Sequence, residues 1–231
     1  MPPRDAIDLE VPGAHVRFTA RGGGVSDGAY ASLNLGCFTP DDPARVAENH
    51  RRAGGGRPLA FARQVHGAQV VVLDAPPEAG AVPEGDGVVT TRRGVAALVV
   101  TADCLPIAVA GEGGLAMVHA GWRGLAAGVL EAGVRALRAE GVGAALHAVI
   151  GPGAGVCCYE VGDEVAARFP GWARRGRHLD LKAVAAARLR DAGVAEVVDV
   201  GRCTLCEPEV FFSHRASGPV TGRQGGLAWR I

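Results

Sequence analysis

The apolar segments of this chain are short, and two of them follow each other almost directly. Residues 95–101 and 106–110 are each long enough for one buried strand, and only four residues separate them. A crossover between parallel neighbours needs a dozen residues or more, usually including a helix. These two strands therefore cannot be parallel neighbours, and the sequence predicts a mixed sheet.

Strand and helix patterns alternate along the rest of the chain. Apolar or alternating runs predict further strands at residues 68–73, 114–119, 145–150 and 194–200. Apolar spacing and capping residues (Asp42-Pro43, Asp180, Gly193) predict helices over 43–53, 124–139, 160–169 and 181–192. We therefore predict an α/β (α+β) fold with helices on the outer faces of mixed sheets. It forms a single domain over residues 1–231, in which residues 1–14 are a loose N-terminal segment.

The composition excludes several classes of protein. The chain has 24 basic and 24 acidic residues and no basic run, so we expect no nucleic-acid partner. No apolar stretch reaches the roughly 18 residues of a membrane span, and the N-terminus lacks the apolar core of a signal peptide. We therefore expect a cytoplasmic protein, a monomer or weak dimer, whose six cysteines are thiols rather than a disulfide framework.

Three segments share one pattern, in which an apolar strand ends at a residue type that binds metals. RQVHG carries His66, TADCLPI carries Asp103 and Cys104, and VHAGWRG carries His119. Two imidazoles and one thiolate suit zinc, and three protein ligands leave a fourth position for water or substrate. Each residue alone is weak evidence, because a single histidine or buried cysteine usually has a packing role. The residues by themselves leave a catalytic zinc site and ordinary core positions both open.

Longer motifs then identify a family. In chain order they are FTARGGGVSDGAYASLNLG, RQVHG, ADCLPI, VHAGWRG, CCYEVGDEV, LDLKAV, GRCT, FFSHR and TGRQGGLAW. Together they resemble the YfiH family over about residues 16 to 229. Members of this family are described as multicopper polyphenol oxidases (laccase-like), purine nucleoside phosphorylases and peptidoglycan editing factors. The resemblance implies a single domain of mixed β-sheets sandwiched between helices.

The resemblance also implies a metal site and a substrate. It implies a zinc ion bound by His66, Cys104 and His119, and a small-molecule substrate, a purine nucleoside with phosphate. The implied reactions are phosphorolysis of adenosine, inosine or methylthioadenosine and deamination of adenosine. Zinc would activate water or polarise an oxygen, and Asp103 is a candidate general base or an orienting residue for a ligand.

Substrate-binding candidates come from residues next to these motifs. Arg21, Arg63 and Arg123 can each clamp phosphate or pair with surface carboxylates, and we favour function for Arg63 and Arg123. Asn34 either points into the pocket or belongs to a turn. Cys158 is expected to face the pocket.

Four other functions stay open at this point. A peptidoglycan-editing hydrolase acting on a UDP-MurNAc-L-serine precursor would use the same zinc chemistry. A cysteine nucleophile, Cys104 with His119 as base, needs no metal. A copper oxidase would use the same three ligands, with Met117 as a candidate axial ligand. A structural zinc would require a fourth protein ligand.

The remaining cysteines give weaker signals. Cys203 and Cys206 form a CxxC pair, which is typical of redox or zinc sites. Because no second CxxC exists in the chain, we expect Cys203 to belong to a buried motif and Cys206 to be incidental. The adjacent pair Cys157-Cys158 allows a vicinal disulfide, but we expect both side chains to have a packing role, with Cys158 near the site.

Overall fold

The computed structural model describes residues 6–78, 80–143 and 145–231. The strands are β1 (Ile7–Val11), β2 (Ala14–Phe18), β3 (Leu59–Ala60), β4 (Val70–Val72), β5 (Gly87–Thr90), β6 (Ala96–Thr101), β7 (Leu105–Gly111), β8 (Gly114–Ala120), β9 (His147–Ile150), β10 (Arg174–Arg175), β11 (His178–Leu179), β12 (Glu196–Asp199) and β13 (Gln224–Arg230). The helices are α1 (Pro43–Ala53), α2 (Trp122–Ala127), α3 (Val129–Ala139), α4 (Asp163–Ala166), α5 (Leu181–Asp191) and α6 (His214–Ser217).

Two large sheets organise these elements. One has the strand order β1-β2-β13-β6-β3, and the other has the order β12-β9-β7-β8-β5-β4. Each contains parallel and antiparallel pairs: β3 runs parallel to β6, for example, whereas β13 runs antiparallel to β6. The fold class is therefore the mixed α/β arrangement that the sequence predicts.

The apolar side chains fill three layers. Phe18, Val99 and Met117 lie in the core between the two sheets. Leu130 and Val184 lie in a second core, where α3 and α5 cover the outer face of the six-stranded sheet. A third core packs α1 and the segment around residues 33–35 against the outer face of the five-stranded sheet. The sheets are thus sandwiched between helices, because each buries apolar residues on both faces.

The short link between β6 and β7 joins two different sheets, whereas the sequence suggested two strands of one mixed sheet. β6 belongs to the five-stranded sheet and β7 to the six-stranded sheet, so residues 102–104 cross from one sheet to the other. Asp103 in this link has φ +91°. A residue with a side chain rarely adopts this left-handed conformation, and it persists only where surrounding contacts hold it.

Three sequence-based boundaries need correction. Residues 7–11 are not loose, because β1 pairs with β2 in an antiparallel hairpin; residues 1–5 lie outside the described residues. The helix predicted over 124–139 is two helices, α2 and α3, because Gly128 between them has φ +86°. The helix predicted over 160–169 is only the four residues of α4. After it the chain continues in tighter turns, with Phe169 N–H bonded to Ala166 O, until Pro170.

None of the helices in the described ranges combines the length and the apolar character that crossing a membrane requires.

Candidate functional site

Three metal-binding side chains meet where the chain crosses between the sheets. The ligand atoms of His66, Cys104 and His119 all lie within 4.8 Å of one another. The imidazole rings of the two histidines are 4.8 Å apart and nearly perpendicular. Cys104 lies in the link after β6 and His119 lies at the end of β8, as the sequence predicts. His66 lies in the loop before β4 and not at the end of a strand, which corrects that part of the predicted pattern.

The loop that carries His66 is held against β6. The side-chain amide of Gln64 bonds to both backbone groups of Val100, at 2.8 Å each. His66 itself has φ +61°. Within the described ranges, His66 and Asp103 are the non-glycine residues that have a positive φ. Both residues lie in segments that carry candidate metal ligands. Strained backbone commonly occurs at such functional sites.

Asp86 forms hydrogen bonds with both histidines. Its fully buried carboxylate lies 2.8 Å from Nδ1 of His119 and accepts hydrogen bonds from the backbone N–H groups of His66 and Gly67 at 2.8 and 2.6 Å. Burial alone would raise the pKa of Asp86, but these hydrogen bonds outweigh it and lower the pKa. A carboxylate accepts only, so Nδ1 carries the proton and Nε2 of His119 is left as the ligand atom.

Asp86 is not among the site residues that the sequence motifs predict. The residue lies between two glycines just before β5, in EGDGVV. Its one local signal is an acidic residue at the start of an apolar strand, which is equally typical of an ordinary turn.

Cys104 and His119 form an electrostatic pair. Burial alone would raise the pKa of Cys104, but the charges and hydrogen bonds of His119 and His66 outweigh it and lower the pKa to about 6. Burial alone would lower the pKa of His119, but the Cys104 sulfur and Asp86 raise it to about 9. The site therefore favours a thiolate, the form of cysteine that binds metals.

Asp103 has a supporting position beside the site. Its carboxylate accepts hydrogen bonds from Thr204 Oγ1 at 2.6 Å and from Arg215 N–H at 2.7 Å. Its backbone carbonyl accepts from Ala154 N–H at 2.8 Å. These bonds hold the strained link that presents Cys104. Asp103 also lines the cavity, so its role as a general base stays a prediction. The carboxylate that orients His119 is that of Asp86.

The glycines after His119 are explained by close approach. A Cβ atom on Gly121 would lie 2.9 Å from Cys104 Sγ, and one on Gly124 would lie 2.9 Å from the carbonyl oxygen of Gly67. Side chains at these positions would push away Cys104 and the loop that carries His66.

His66, Cys104 and His119 line a cavity of about 510 Å³. Apolar and aromatic side chains form much of its wall, among them Leu35, Phe38, Phe61, Leu98, Trp122 and Tyr159. Arg123, Arg215 and Arg223 also line it, and so bring positive charge to the same space. Arg215 lies over the ring of Tyr159 and donates to the carbonyl of Glu160. A largely apolar cavity with a few converging polar groups is the usual form of a small-molecule site.

The five predicted substrate-binding residues do not all lie at the cavity. Of these five, Arg123 lines the cavity. Arg21 lies outside the cavity wall. Its guanidinium donates to the carbonyls of Ala31 and Pro208 and so joins these two segments.

The other three candidates also lie outside the cavity wall. Asn34 is fully buried and bonds Thr39, Asp41 and the backbone of Arg223, so it belongs to a turn. Arg63 pairs with Glu84 on the surface. Cys158 lies against Cys206 rather than the pocket. Arg215 and Arg223 were not predicted as binding residues, although they lie in the motifs FFSHR and TGRQGGLAW.

The donor set fits a metal ion that accepts nitrogen and sulfur. Two imidazoles and one thiolate, with Nε2 of His119 freed by Asp86, match the ligands and the number of protein ligands of catalytic zinc sites. The same set is found in copper sites that have a weak axial methionine. Met117, the sequence-based candidate for that ligand, is fully buried in the core between the sheets and does not line the cavity.

Comparison with known proteins identifies the family. The family model described as multi-copper polyphenol oxidoreductase laccase matches residues 15–231. A purine nucleoside phosphorylase of Streptomyces coelicolor is 42% identical over 238 residues, which cover 95% of this chain and 96% of the relative. The purine nucleoside phosphorylase YfiH of Shigella flexneri is 38% identical over 231 residues, which cover 92% of each chain. The crystal structure of a Neisseria meningitidis protein of the DUF152 family matches with a TM-score of 0.85 and 33% identity, covering 98% of this chain and 99% of that one. The sequence motifs and the two mixed sheets agree with these matches. The chain therefore belongs to the YfiH family.

Proposed function

We propose that this protein is a zinc-dependent purine nucleoside phosphorylase that acts on adenosine, inosine and methylthioadenosine and also deaminates adenosine. The observation that carries the proposal is the convergence of His66, Cys104 and His119 at one wall of a 510 Å³ cavity that three arginines also line. The names of the relatives in Streptomyces coelicolor and Shigella flexneri support the same activity.

The cavity offers binding groups for both substrates of phosphorolysis. Phosphate needs cationic donors, and the planar guanidinium of arginine binds it through two parallel hydrogen bonds. Arg123 reaches the cavity from the start of α2, and Arg215 and Arg223 reach it from the C-terminal part of the chain. The purine ring needs a flat apolar surface, which Phe61, Leu98 and the neighbouring wall supply.

In the proposed reaction, a phosphate oxygen forms a bond to C1′ of the ribose as the bond between C1′ and N9 of the purine breaks. The products are the sugar 1-phosphate (ribose 1-phosphate from adenosine and inosine, 5-methylthioribose 1-phosphate from methylthioadenosine) and the free base, which takes up at a ring nitrogen the proton that the phosphate loses. The arginines hold the phosphate against the sugar, so that two separate reactants meet in one orientation. In deamination, water replaces phosphate and attacks the purine ring at the amino-bearing carbon, releasing ammonia and leaving inosine.

The metal is held by residues already described. His66, Cys104 and His119 would bind zinc, and Asp86 would keep His119 in the correct tautomer. Bound zinc would supply Lewis acidity for an oxygen of phosphate or water in the cavity. The charge on the Cys104 sulfur and the hydrogen bond from His119 to Asp86 are what this chain contributes to that binding.

Product analysis tests the proposal. The purified protein is incubated with adenosine, inosine or methylthioadenosine, with and without phosphate, and the products are separated by chromatography. We expect free base only with phosphate, inosine from adenosine without it, and loss of both in His119→Ala. His147→Ala, on β9 and paired with Glu196 at the surface, is the matched histidine control and should keep both activities.

Other outcomes would contradict the proposal. Equal activity in wild type and His119→Ala would indicate a contaminating enzyme. No product from any nucleoside would reject the nucleoside substrates, and a UDP-MurNAc-L-serine precursor would be the next compound to assay. Full activity of a metal-free protein, abolished by alkylation of Cys104, would favour the cysteine nucleophile over zinc.

A further inference from the structure

Four cysteines outside the cavity lie together, which the sequence analysis did not expect. Cys157 and Cys158 come from the loop after β9, and Cys203 and Cys206 come from the loop after β12. All four Sγ atoms lie within 4.8 Å of one another, and we call this group the four-cysteine cluster. The CxxC pair is therefore not incidental, because the adjacent pair Cys157-Cys158 supplies the partners that the sequence lacks locally.

The distances fit a shared metal ion better than a disulfide. Cys206 Sγ is 3.4 Å from both Cys157 Sγ and Cys158 Sγ, and all four residues are free thiols. A disulfide requires an S–S distance of about 2.05 Å. A tetrahedral zinc ion with Zn–S bonds of about 2.3 Å places its sulfur ligands about 3.8 Å apart. The four-cysteine cluster therefore has nearly the size of a zinc tetrahedron.

The backbone around the cluster already holds the two loops in place. Gly155 N–H points at Cys203 Sγ, 3.3 Å away, and Thr204 N–H donates to Gly153 O at 3.2 Å. Backbone N–H groups directed at a sulfur stabilise its thiolate, and such outer contacts commonly orient metal ligands. Cys203 is buried, whereas Cys157 and Cys206 are exposed, so an ion can reach the cluster from solvent.

We propose that Cys157, Cys158, Cys203 and Cys206 form a second, structural zinc site with four thiolate ligands. Binding of one Zn²⁺ releases four protons from the four thiols, no electron is transferred, and the closed coordination shell leaves no position for substrate. This proposal stands apart from the proposed enzymatic function, because the four-cysteine cluster lies outside the cavity.

The loops that the second zinc would join also support the cavity. The first loop continues directly into Tyr159, which forms part of the cavity wall. The second loop carries Thr204, whose hydroxyl bonds Asp103 in the link that presents Cys104. A metal clamp on these loops would therefore stabilise the wall next to the candidate active site.

Metal counting tests the second site. The protein is expressed with zinc, purified under reducing conditions, and its zinc content per chain is measured by mass spectrometry. We expect two zinc ions in wild type, one in Cys206→Ser, one in Cys104→Ser, and none in the double variant. Cys37→Ser, an exposed cysteine outside the four-cysteine cluster, is the matched control and should keep two.

X-ray absorption identifies the ligands without depending on the folding of Cys206→Ser. In Cys104→Ser, the remaining zinc should have four sulfur neighbours at about 2.3 Å. A Cys104→Ser protein without zinc, or with zinc bound mainly by nitrogen and oxygen, would overturn the proposal. So would a disulfide within the four-cysteine cluster in protein purified under reductant, seen as a loss of two hydrogens in the intact mass. If the cavity site alone is wrong, Cys104→Ser and wild type will hold the same single zinc with four sulfur ligands.

Discussion

The cavity site and the four-cysteine cluster are both groups of metal-binding side chains, but they are built differently. The cavity site takes one residue from each of three distant segments, and Asp86 supports it from behind. The four-cysteine cluster takes two residues from each of two loops, and the backbone N–H of Gly155 faces one of its sulfurs. The first combines two imidazoles and one thiolate, and the second has four thiols.

This difference indicates two kinds of role. Three ligands at the wall of a cavity leave room for a reacting molecule, and a buried carboxylate that fixes the tautomer of one histidine is typical of a catalytic metal site. Four sulfur ligands close the shell of a metal ion, which is typical of a structural site. We therefore expect substitutions in the first group to change activity and substitutions in the second to change stability.

The largest contrast should come from removing one cysteine from each group. We expect Cys104→Ser to lower kcat/KM for phosphorolysis by more than 100-fold. Loss of a residue that only supports a metal ligand typically costs 10- to 100-fold in activity, and loss of the ligand itself should cost more. We expect Cys206→Ser to stay within a few fold of wild type and to lower Tm by about 5 °C or more, where 1 kcal/mol corresponds to about 2–4 °C in a chain of this length. Steady-state kinetics and calorimetry provide the measurements, and the reverse pattern would exchange the two assigned roles.

A somewhat smaller effect should follow from Asp86→Asn. The amide would turn an N–H₂ group towards backbone N–H donors and remove the charge that faces His119 Nδ1. We expect kcat/KM and zinc affinity at the cavity site to fall by about 10- to 100-fold. Asp74→Asn is the control, since Asp74 also accepts hydrogen bonds but bonds Thr90 away from the cavity. Equal kinetic losses in the two variants would indicate a general effect on stability and not an orienting role.

Two arginines that the sequence favoured equally provide a test of the cavity boundary. Arg123→Lys should raise KM for phosphate about tenfold, because lysine keeps the charge but loses the two-pronged hydrogen bond. Arg63→Lys should leave KM unchanged, since Arg63 pairs with Glu84 on the surface and does not line the cavity. Initial rates at varied phosphate concentration distinguish the two. An equal rise in both would place the phosphate nearer to Arg63 than we propose.

The smallest expected effect on activity concerns the connection between the two groups. Thr204→Val removes the hydroxyl that donates to the buried Asp103 carboxylate, next to the ligand Cys203. We expect a stability loss of about 1.5–3 kcal/mol, the range for hydrogen bonds to charged groups, and a few-fold lower kcat. Thr90→Val is the control: Thr90 is also a fully buried threonine, its hydroxyl donates to the exposed Asp74 carboxylate outside the cavity wall, and its loss should lower stability but not kcat. Unchanged kcat in Thr204→Val would show that the two groups act independently.

Much of the fold follows from local patterns. The helix over residues 43–53 has the predicted bounds, because Asp42 accepts from Ala44 N–H and Pro43 occupies the first turn. The strand candidate at 95–101 lies within one residue of β6. The helix predicted over 124–139 fails at Gly128, because a local apolar pattern does not reveal that the chain must turn there to pack two helices separately.

The candidate site divides in the same way. His66, Cys104 and His119 are recognisable because each lies in a long motif, and Cys104 and His119 also lie at the ends of strands. Asp86 has no such signal, since its role depends on hydrogen bonds to residues about 20 and 33 positions away. Arg21 and Arg63 lie beside motifs as Arg123 does, yet their guanidinium groups are used for a turn and for a surface ion pair.

The sequence by itself determined the class of fold and the family, and its motifs contain the three side chains that meet at the cavity site. These depend on apolar periodicity, on capping residues and on motifs, all of which act over a few neighbouring positions. Tertiary structure alone decided that the β6–β7 link crosses between two sheets, that Asp86 supports His119, and that Cys157 and Cys158 meet Cys203 and Cys206. The physical reason is that these contacts join positions about 20 to 50 residues apart, where packing of the sheets and loops, and not local conformational preference, determines which side chains meet.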